Sequence, residues 1–245
     1  MKLQFFSIFF LTQLSGTFAN QDCGPQMRNL KSKIEASGST EIDLKFAKEH
    51  QLAPRGSAVL TSSGKLKDVG ITAIIQAAPA KRGSRPGSEI LGEPTLQSIQ
   101  NSSANSVRLA ETAGHTKIAI LFIGGGIFKD RVGQPVEEIA KAVILGALEG
   151  SPKMEISFVL LEDENYALFK KVLLGLEQGK TRSNVRVLQG SIIDFGLHGA
   201  SAIVNAANME VRFGNGISGV IGRATGEIDA IDKEAAEIVL NFNQQ

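Results

Sequence analysis

Two amide side chains and a set of closely spaced glycines are the residues of this 245-residue chain best suited to hold a ligand. Residues 205–226 read NAANMEVRFGNGISGVIGRATG. Asn205 and Asn208 supply amides that bond hydroxyl groups, and Gly214, Gly216 and Gly219 follow at a turn. Glycine lacks the Cβ that would hold backbone N–H groups away from an anion. The first N–H groups of a helix are unpaired and sit at the positive end of its dipole, so a strand, a glycine turn and a helix start make a phosphate cradle. A second loop of the same kind, Gly124-Gly125-Gly126-Ile127-Phe128, follows the apolar run KIAILFI. Either glycine cluster alone reads as a tight turn. Two of them, each directly after an apolar strand, read as a pair of amide nests gripping one diphosphate, with Phe128 over a ribose.

The elements that must carry these loops alternate along the chain. Strands are expected at 57–61 and 71–76 with a Ser-Gly-Lys turn between them, and at 117–123, 156–161, 185–188 and 202–204. Helices are expected at 94–114, from Pro135 through a stripe of Val136, Ile139, Ala140, Val143, Ile144, Ala147 and Leu148, at 164–174, from about Gly216, and at 228–242. Run 117–123 is apolar throughout, as in a strand covered on both faces. The alternation means an α/β domain with a mostly parallel core sheet. Residues 81–94 read as a surface loop and 175–184 as an internal linker.

Basic and acidic side chains number 26 and 25, a formal net charge of +1, so no global field draws the protein to nucleic acid or membrane. Three histidines and one cysteine argue against a transition-metal site, and Cys23 has no intramolecular disulfide partner. Residues 3–14 are almost wholly apolar, with four phenylalanines in six positions, and Thr17-Phe18-Ala19 resembles a peptidase cleavage site. Residues 1–19 are therefore expected to be a signal peptide, giving a secreted or periplasmic protein without stable membrane insertion. Residues 20–53 form an N-terminal extension with one helical pattern.

The motifs resemble the macro domain, an ADP-ribose-binding α/β/α module. The family's strand plus Asn-Ala-Ala-Asn and its Gly-Gly-Gly-Val loop are similar to residues 202–217, and its small-residue run ending Gly-Ile-Tyr/Phe is similar to residues 124–128. The family places the Asn-Ala-Ala-Asn half first, whereas here it comes second. The resemblance thus implies a circularly permuted macro domain over residues 54–245: a three-layer α/β/α fold with a mixed, mostly parallel sheet, whose old ends are joined by 175–184. Two truncated macro domains in tandem are the rival arrangement. The resemblance implies that Asn208 contacts the distal ribose, that Gly214, Asn215, Gly216, Ile217 and Ser218 form the first phosphate loop, and that Gly124, Gly125, Gly126 and Ile127 form the second. It places Phe128 beside the distal ribose and Ser191 and Ile192 near the adenine. No cofactor or metal is implied. The expected partner is ADP-ribose or an ADP-ribosylated protein, bound by a monomer.

Two departures from the family pattern bear on function. Where many members have Gly-Asp-Ile-Thr, this chain has Gly190-Ser191-Ile192-Ile193, so the charged acceptor for the adenine amino group is absent at that position. Where a hydrolase branch has Gly-Gly-Gly-Val-Asp-Gly, the chain has Ser218 in place of the aspartate, and a serine hydroxyl is no general base near neutral pH. No catalytic residue is assigned, including His115 and His198. Binding of ADP-ribose, hydrolysis of ADP-ribosyl conjugates, and capture of another nucleotide-like ligand by the same scaffold remain the three functional readings.

Overall fold

The computed structural model describes residues 33–81, 92–126, 129–177 and 183–245. The strands are β1 (Ile34–Glu35), β2 (Ser57–Thr61), β3 (Ala73–Ala78), β4 (Lys117–Ile120), β5 (Glu155–Leu160), β6 (Val185–Gln189) and β7 (Ala202–Ala206). They form one sheet in the order β1-β2-β3-β7-β4-β5-β6. β2 is antiparallel to both β1 and β3, and every other pairing is parallel. The helices are α1 (Glu41–His50), α2 (Leu96–Thr112), α3 (Lys129–Val132), α4 (Val136–Gly150), α5 (Asp163–Glu177), α6 (Phe195–His198), α7 (Gly216–Thr225) and α8 (Ile228–Asn243). This is the α/β class with a mixed, mostly parallel sheet that the alternation of apolar runs and helical stripes predicts.

Alternating side chains send the residues of β2 into two cores. Ala58 and Leu60 of β2 join the larger core, which continues under α2 and α4, whereas Val59 joins a smaller one with Val211, Ala235 and Val239. Helix α2 begins at Thr95, whose hydroxyl accepts from the Ser98 N–H at 3.0 Å while the Ser98 hydroxyl accepts from the Thr95 N–H at 2.9 Å. That reciprocal cap satisfies two donors the helix cannot pair internally. Ser103 then donates to the Val143 carbonyl at 2.7 Å, joining α2 to α4 through a buried bond. Asn105 donates to the carbonyls of Ser37 and Gly56, both at 3.0 Å, which ties the β1 turn and the start of β2 to the same helix.

Several boundaries differ from the sequence reading. The β2–β3 connection is a 3-10 helix (Gly64–Val69) rather than a tight turn, because Leu66 is drawn into the core and Gly70 ends the helix with a left-handed φ of 104°. The apolar run 117–123 pairs only as far as Ile120. Helix α5 takes in Gly175, Leu176 and Glu177 from the stretch read as linker. β1 and α1 belong to the same compact unit as the rest of the described residues. The signal segment 1–19 and Cys23 lie outside the described residues, as do 82–91 of the surface loop and 178–182 of the linker. Among the described residues, no helix is long and apolar enough to cross a membrane.

Candidate ligand-binding site

Strands β4 and β7 are parallel neighbours, and their pairing ends at Ile120 with Val204. β7 goes on pairing with β3 as far as Ala77 with Ala206. The chain after β4 meanwhile turns, with the Ile123 N–H bonded to the Leu121 carbonyl at 2.9 Å and the Gly125 N–H to the Phe122 carbonyl at 3.1 Å. A crevice therefore opens beyond the carboxyl ends of two adjacent strands, where α/β sheets bind ligands. It has two lobes, of about 250 and 580 Å³. Asn208, Arg212, Gly214, Asn215, Ser218 and Gly124 line the first. Gly125, Ser191, Ile192, Glu162, Asn165 and Arg223 line the second. Phe122, Gly126, Gly216 and Ile217 line both, so the two lobes lie side by side and share a wall.

A buried polar ladder builds the loop after β7. Gln76 and Asn205 are register partners on β3 and β7, both fully buried. Asn205 Nδ2 donates to Gln76 Oε1 at 2.7 Å and to Ser218 Oγ at 3.1 Å. Ser218 Oγ also accepts from the Gly214 N–H at 3.1 Å. The loop is thus folded back onto the first turn of α7, so closely that a Cβ on Gly219 would stand 2.6 Å from the Gly214 carbonyl oxygen. Between Asn208 and this loop, Val211 holds a left-handed φ of 49°, a strained state for a β-branched residue. Its side chain is buried in the smaller core, which offsets the strain and fixes the turn.

The ladder decides which amides of this loop already have a partner. The Gly214 N–H is spent on Ser218, and the Ser218 hydroxyl is itself enclosed. The N–H groups of Gly216 and Ile217, at the start of α7, have no hydrogen-bond partner among the described residues. They sit where the helix dipole favours an anion. Asn208 lines the first lobe, and its Oδ1 is buried with no partner, an acceptor awaiting a donor.

The loop after β4 is shaped by apolar contact. A Cβ on Gly125 would fall 2.2 Å from the Phe122 ring. That ring meets Phe169 edge to face, with centroids 4.9 Å apart, which keeps it under the loop. The N–H groups of Gly124 and Gly126 have no partner among the described residues. Ile127 and Phe128, assigned to this loop from the sequence, lie outside the described residues.

Ser191 and Ile192 follow β6 and reach the second lobe from its far side. Ile192 is held from beneath. His198 Nδ1 accepts from the Ala200 N–H at 3.0 Å, so Nε2 carries the proton and donates to the Ile192 carbonyl at 3.0 Å. Burial pushes the His198 pKa below the ordinary histidine value, partly opposed by that bond and by Asp194. The structure also brings in residues that the sequence does not mark. Phe122 is hidden within an apolar run. Leu161, Glu162 and Asn165 enter only because β5 lies beside β4, and no local pattern announces that adjacency. Arg212 and Arg223 lie within and just beyond the glycine motif, where a basic side chain near a phosphate turn is a usable signal.

No protein-family model matches the chain. A macro domain-containing protein of Caldanaerobacter subterraneus subsp. tengcongensis is 30% identical over 151 residues, which is 59% of this chain and 79% of that protein. The chain belongs to the macro domain family. A second relative, the macro domain-containing protein of the gbd 3′ region of Cupriavidus necator, is 31% identical over 124 residues, 49% of this chain. The chain spans 64% of the length of that relative, just under two thirds. Membership in the macro domain family accords with the seven-stranded sheet and with the crevice beyond β4 and β7.

Proposed function

We propose that this macro domain is circularly permuted and binds ADP-ribose, free or attached to protein, with its pyrophosphate between the loops after β4 and β7. The observation that carries this reading is that Gly126 and Gly216, one from each loop, line both lobes. Sequence-distant amides line one cleft, with the unpartnered Asn208 Oδ1 at one end placed to accept from a ribose hydroxyl. Titration calorimetry with ADP-ribose is expected to give saturable binding. Absence of heat at high micromolar ligand would remove the proposal. The apolar segment 3–14 supports export of the chain, which secretion of a fusion carrying residues 1–19 would test.

One short connection and one contact support permutation. Residues 178–184 need only link α5 to the edge strand β6, beside β5. At the other end of the domain, Asn243 closes α8 and donates to the Leu52 carbonyl at 3.0 Å, directly before β2. Family order is restored by linking residue 245 to residue 33, which keeps β1 and α1, and opening the chain within 178–184. A chain rebuilt in that order is expected to unfold cooperatively and to keep the ADP-ribose affinity. Failure to fold counts against the permuted reading.

Hydrolysis of an ADP-ribosyl conjugate is the second reading. It draws on the same Asn208 Oδ1, which can orient a water against the scissile end of the ligand. Ser218 gives no help, because its oxygen is committed to Asn205 and Gly214. Incubation with mono-ADP-ribosylated protein separates the readings: unchanged label with intact binding leaves a reader only.

A further inference from the structure

The second lobe is sharply divided in character. Val159, Leu161, Ile192, Ile217 and Val220 give it apolar walls. Leu161 and Ile217, both lining this lobe, are 61% and 37% exposed, so each leaves apolar surface uncovered there. Exposed apolar lining of this kind suits the faces of a flat ring, whose burial takes that apolar area out of water. The edge of such a ring meets polar atoms. Ser191 is one, and it carries no charge.

Glu162 is another, and it is the single carboxylate among the described residues that line either lobe. The cationic lining residues are Arg212 and Arg223. Glu162 stands at the start of α5, where its carbonyl accepts from the Tyr166 N–H at 3.0 Å, so its backbone is fixed by the helix. Its Oε2 accepts from Asn165 Nδ2 at 3.1 Å, which steadies the carboxylate. Oε1 accepts nothing from the described residues. An ionised acceptor with a spare oxygen, beside an apolar slot, selects a ring that presents N–H donors at its edge.

We propose that Glu162 reads the base: its carboxylate accepts a hydrogen bond from the exocyclic amino group of a purine seated between Leu161 and Ile217. The proposal rests on the nucleotide reading of the cleft. It moves the charged base contact from the loop after β6 to the loop after β5, on the neighbouring strand.

The test starts with ADP-ribose and then compares ADP with purine riboside 5′-diphosphate, which differs from ADP only in lacking the amino group. ADP is expected to bind about tenfold more tightly, since a charge-assisted bond made to one ligand is missing from the other. In Glu162→Ala the two ligands are expected to bind within about twofold of each other, and in Glu162→Gln the ratio is expected to fall between these values. Glu162 is exposed, so both variants are expected to keep the parent's unfolding midpoint, and Glu162→Gln keeps the shape of the side chain should the alanine variant fail to fold. Equal affinities in the parent, or a preference for ADP that survives Glu162→Ala, overturn the role of Glu162 while leaving the cleft a nucleotide site. Absence of ADP-ribose binding in the parent overturns the reading of the cleft and this inference with it.

Discussion

The two glycine loops reach the same cleft by different means. The loop after β7 is secured by hydrogen bonds that pass from Gln76 through Asn205 and Ser218 to the Gly214 amide. The loop after β4 is secured by the shape of an aromatic ring, with Gly125 lying on Phe122 and Phe122 braced by Phe169. A polar ladder in a dry interior is directional and intolerant of a missing member. A ring under a glycine is intolerant of added volume and tolerates chemical change elsewhere. Similar glycine-rich sequences thus lead to loops that should fail under different substitutions.

The largest contrast is expected from adding one carbon to each loop. Gly219→Ala drives a methyl into the Gly214 carbonyl, and Gly125→Ala drives one into the Phe122 ring. Each is expected to cost about 1–3 kcal/mol in stability, by the usual cost of overpacking, and to weaken ADP-ribose binding. The discriminating measurement is a double-mutant cycle. Phe122→Ala should relieve much of the Gly125→Ala penalty in thermal unfolding and none of the Gly219→Ala penalty, because a backbone oxygen cannot be truncated. Equal relief in both would mean the loops are not independently held.

An effect no larger is expected from Asn205→Ala, which leaves Gln76 Oε1 and Ser218 without their shared donor at a cost of about 1–3 kcal/mol. Hydrogen exchange should quicken at the Gly214 amide and stay unchanged at Gly125. Ser218→Ala removes the acceptor for Asn205 and Gly214, at about 1 kcal/mol, with the same one-sided exchange signature. Acceleration at Gly125 in either variant would tie the loops together and undo the contrast.

The smallest effect is expected from pH, and it falls on neither loop. His198 is neutral in the fold, with its pKa held down first by burial. The unfolded chain takes up a proton at the ordinary value of 6.5, before the folded one does. The associated stability is complete above that value and is lost as pH falls from it toward the lower folded value. The unfolding midpoint is expected to drop on acidification from pH 7.5 to 5.5, and His198→Gln should reduce that slope, leaving the part due to His115, whose pKa burial also lowers. Exchange near Ile192, whose carbonyl His198 supports, should respond before exchange at Gly125 or Gly214.

Much of this molecule can be read from its sequence, because periodicity reports burial. The stripe from Val136 to Leu148 is α4, and the apolar runs at 57–61 and 202–204 lie within strands. Both glycine runs stand out in the sequence because each comes shortly after an apolar run. What periodicity does not carry is adjacency. Nothing local says that β7 lies between β3 and β4, or that β5 brings Glu162 to the cleft. Nor can a pattern of residue types show that the Gly214 amide turns inward to Ser218, since that depends on Gln76, 129 positions from Asn205. The apolar run to Ile123 misled for a related reason: its last three residues are as buried as a strand but bend to start a loop.

The position of β7 also governs when the domain can assemble during synthesis. β3 and β4 are complete once residue 120 has been made, yet each has an open edge until residues 202–206 emerge and fill the gap between them. Pairings of such long sequence separation are slow to close, and open edges invite pairing with other chains. The cleft is therefore among the last features a growing polypeptide can form, and a chain interrupted before residue 202 would expose two unsealed strand edges at its centre.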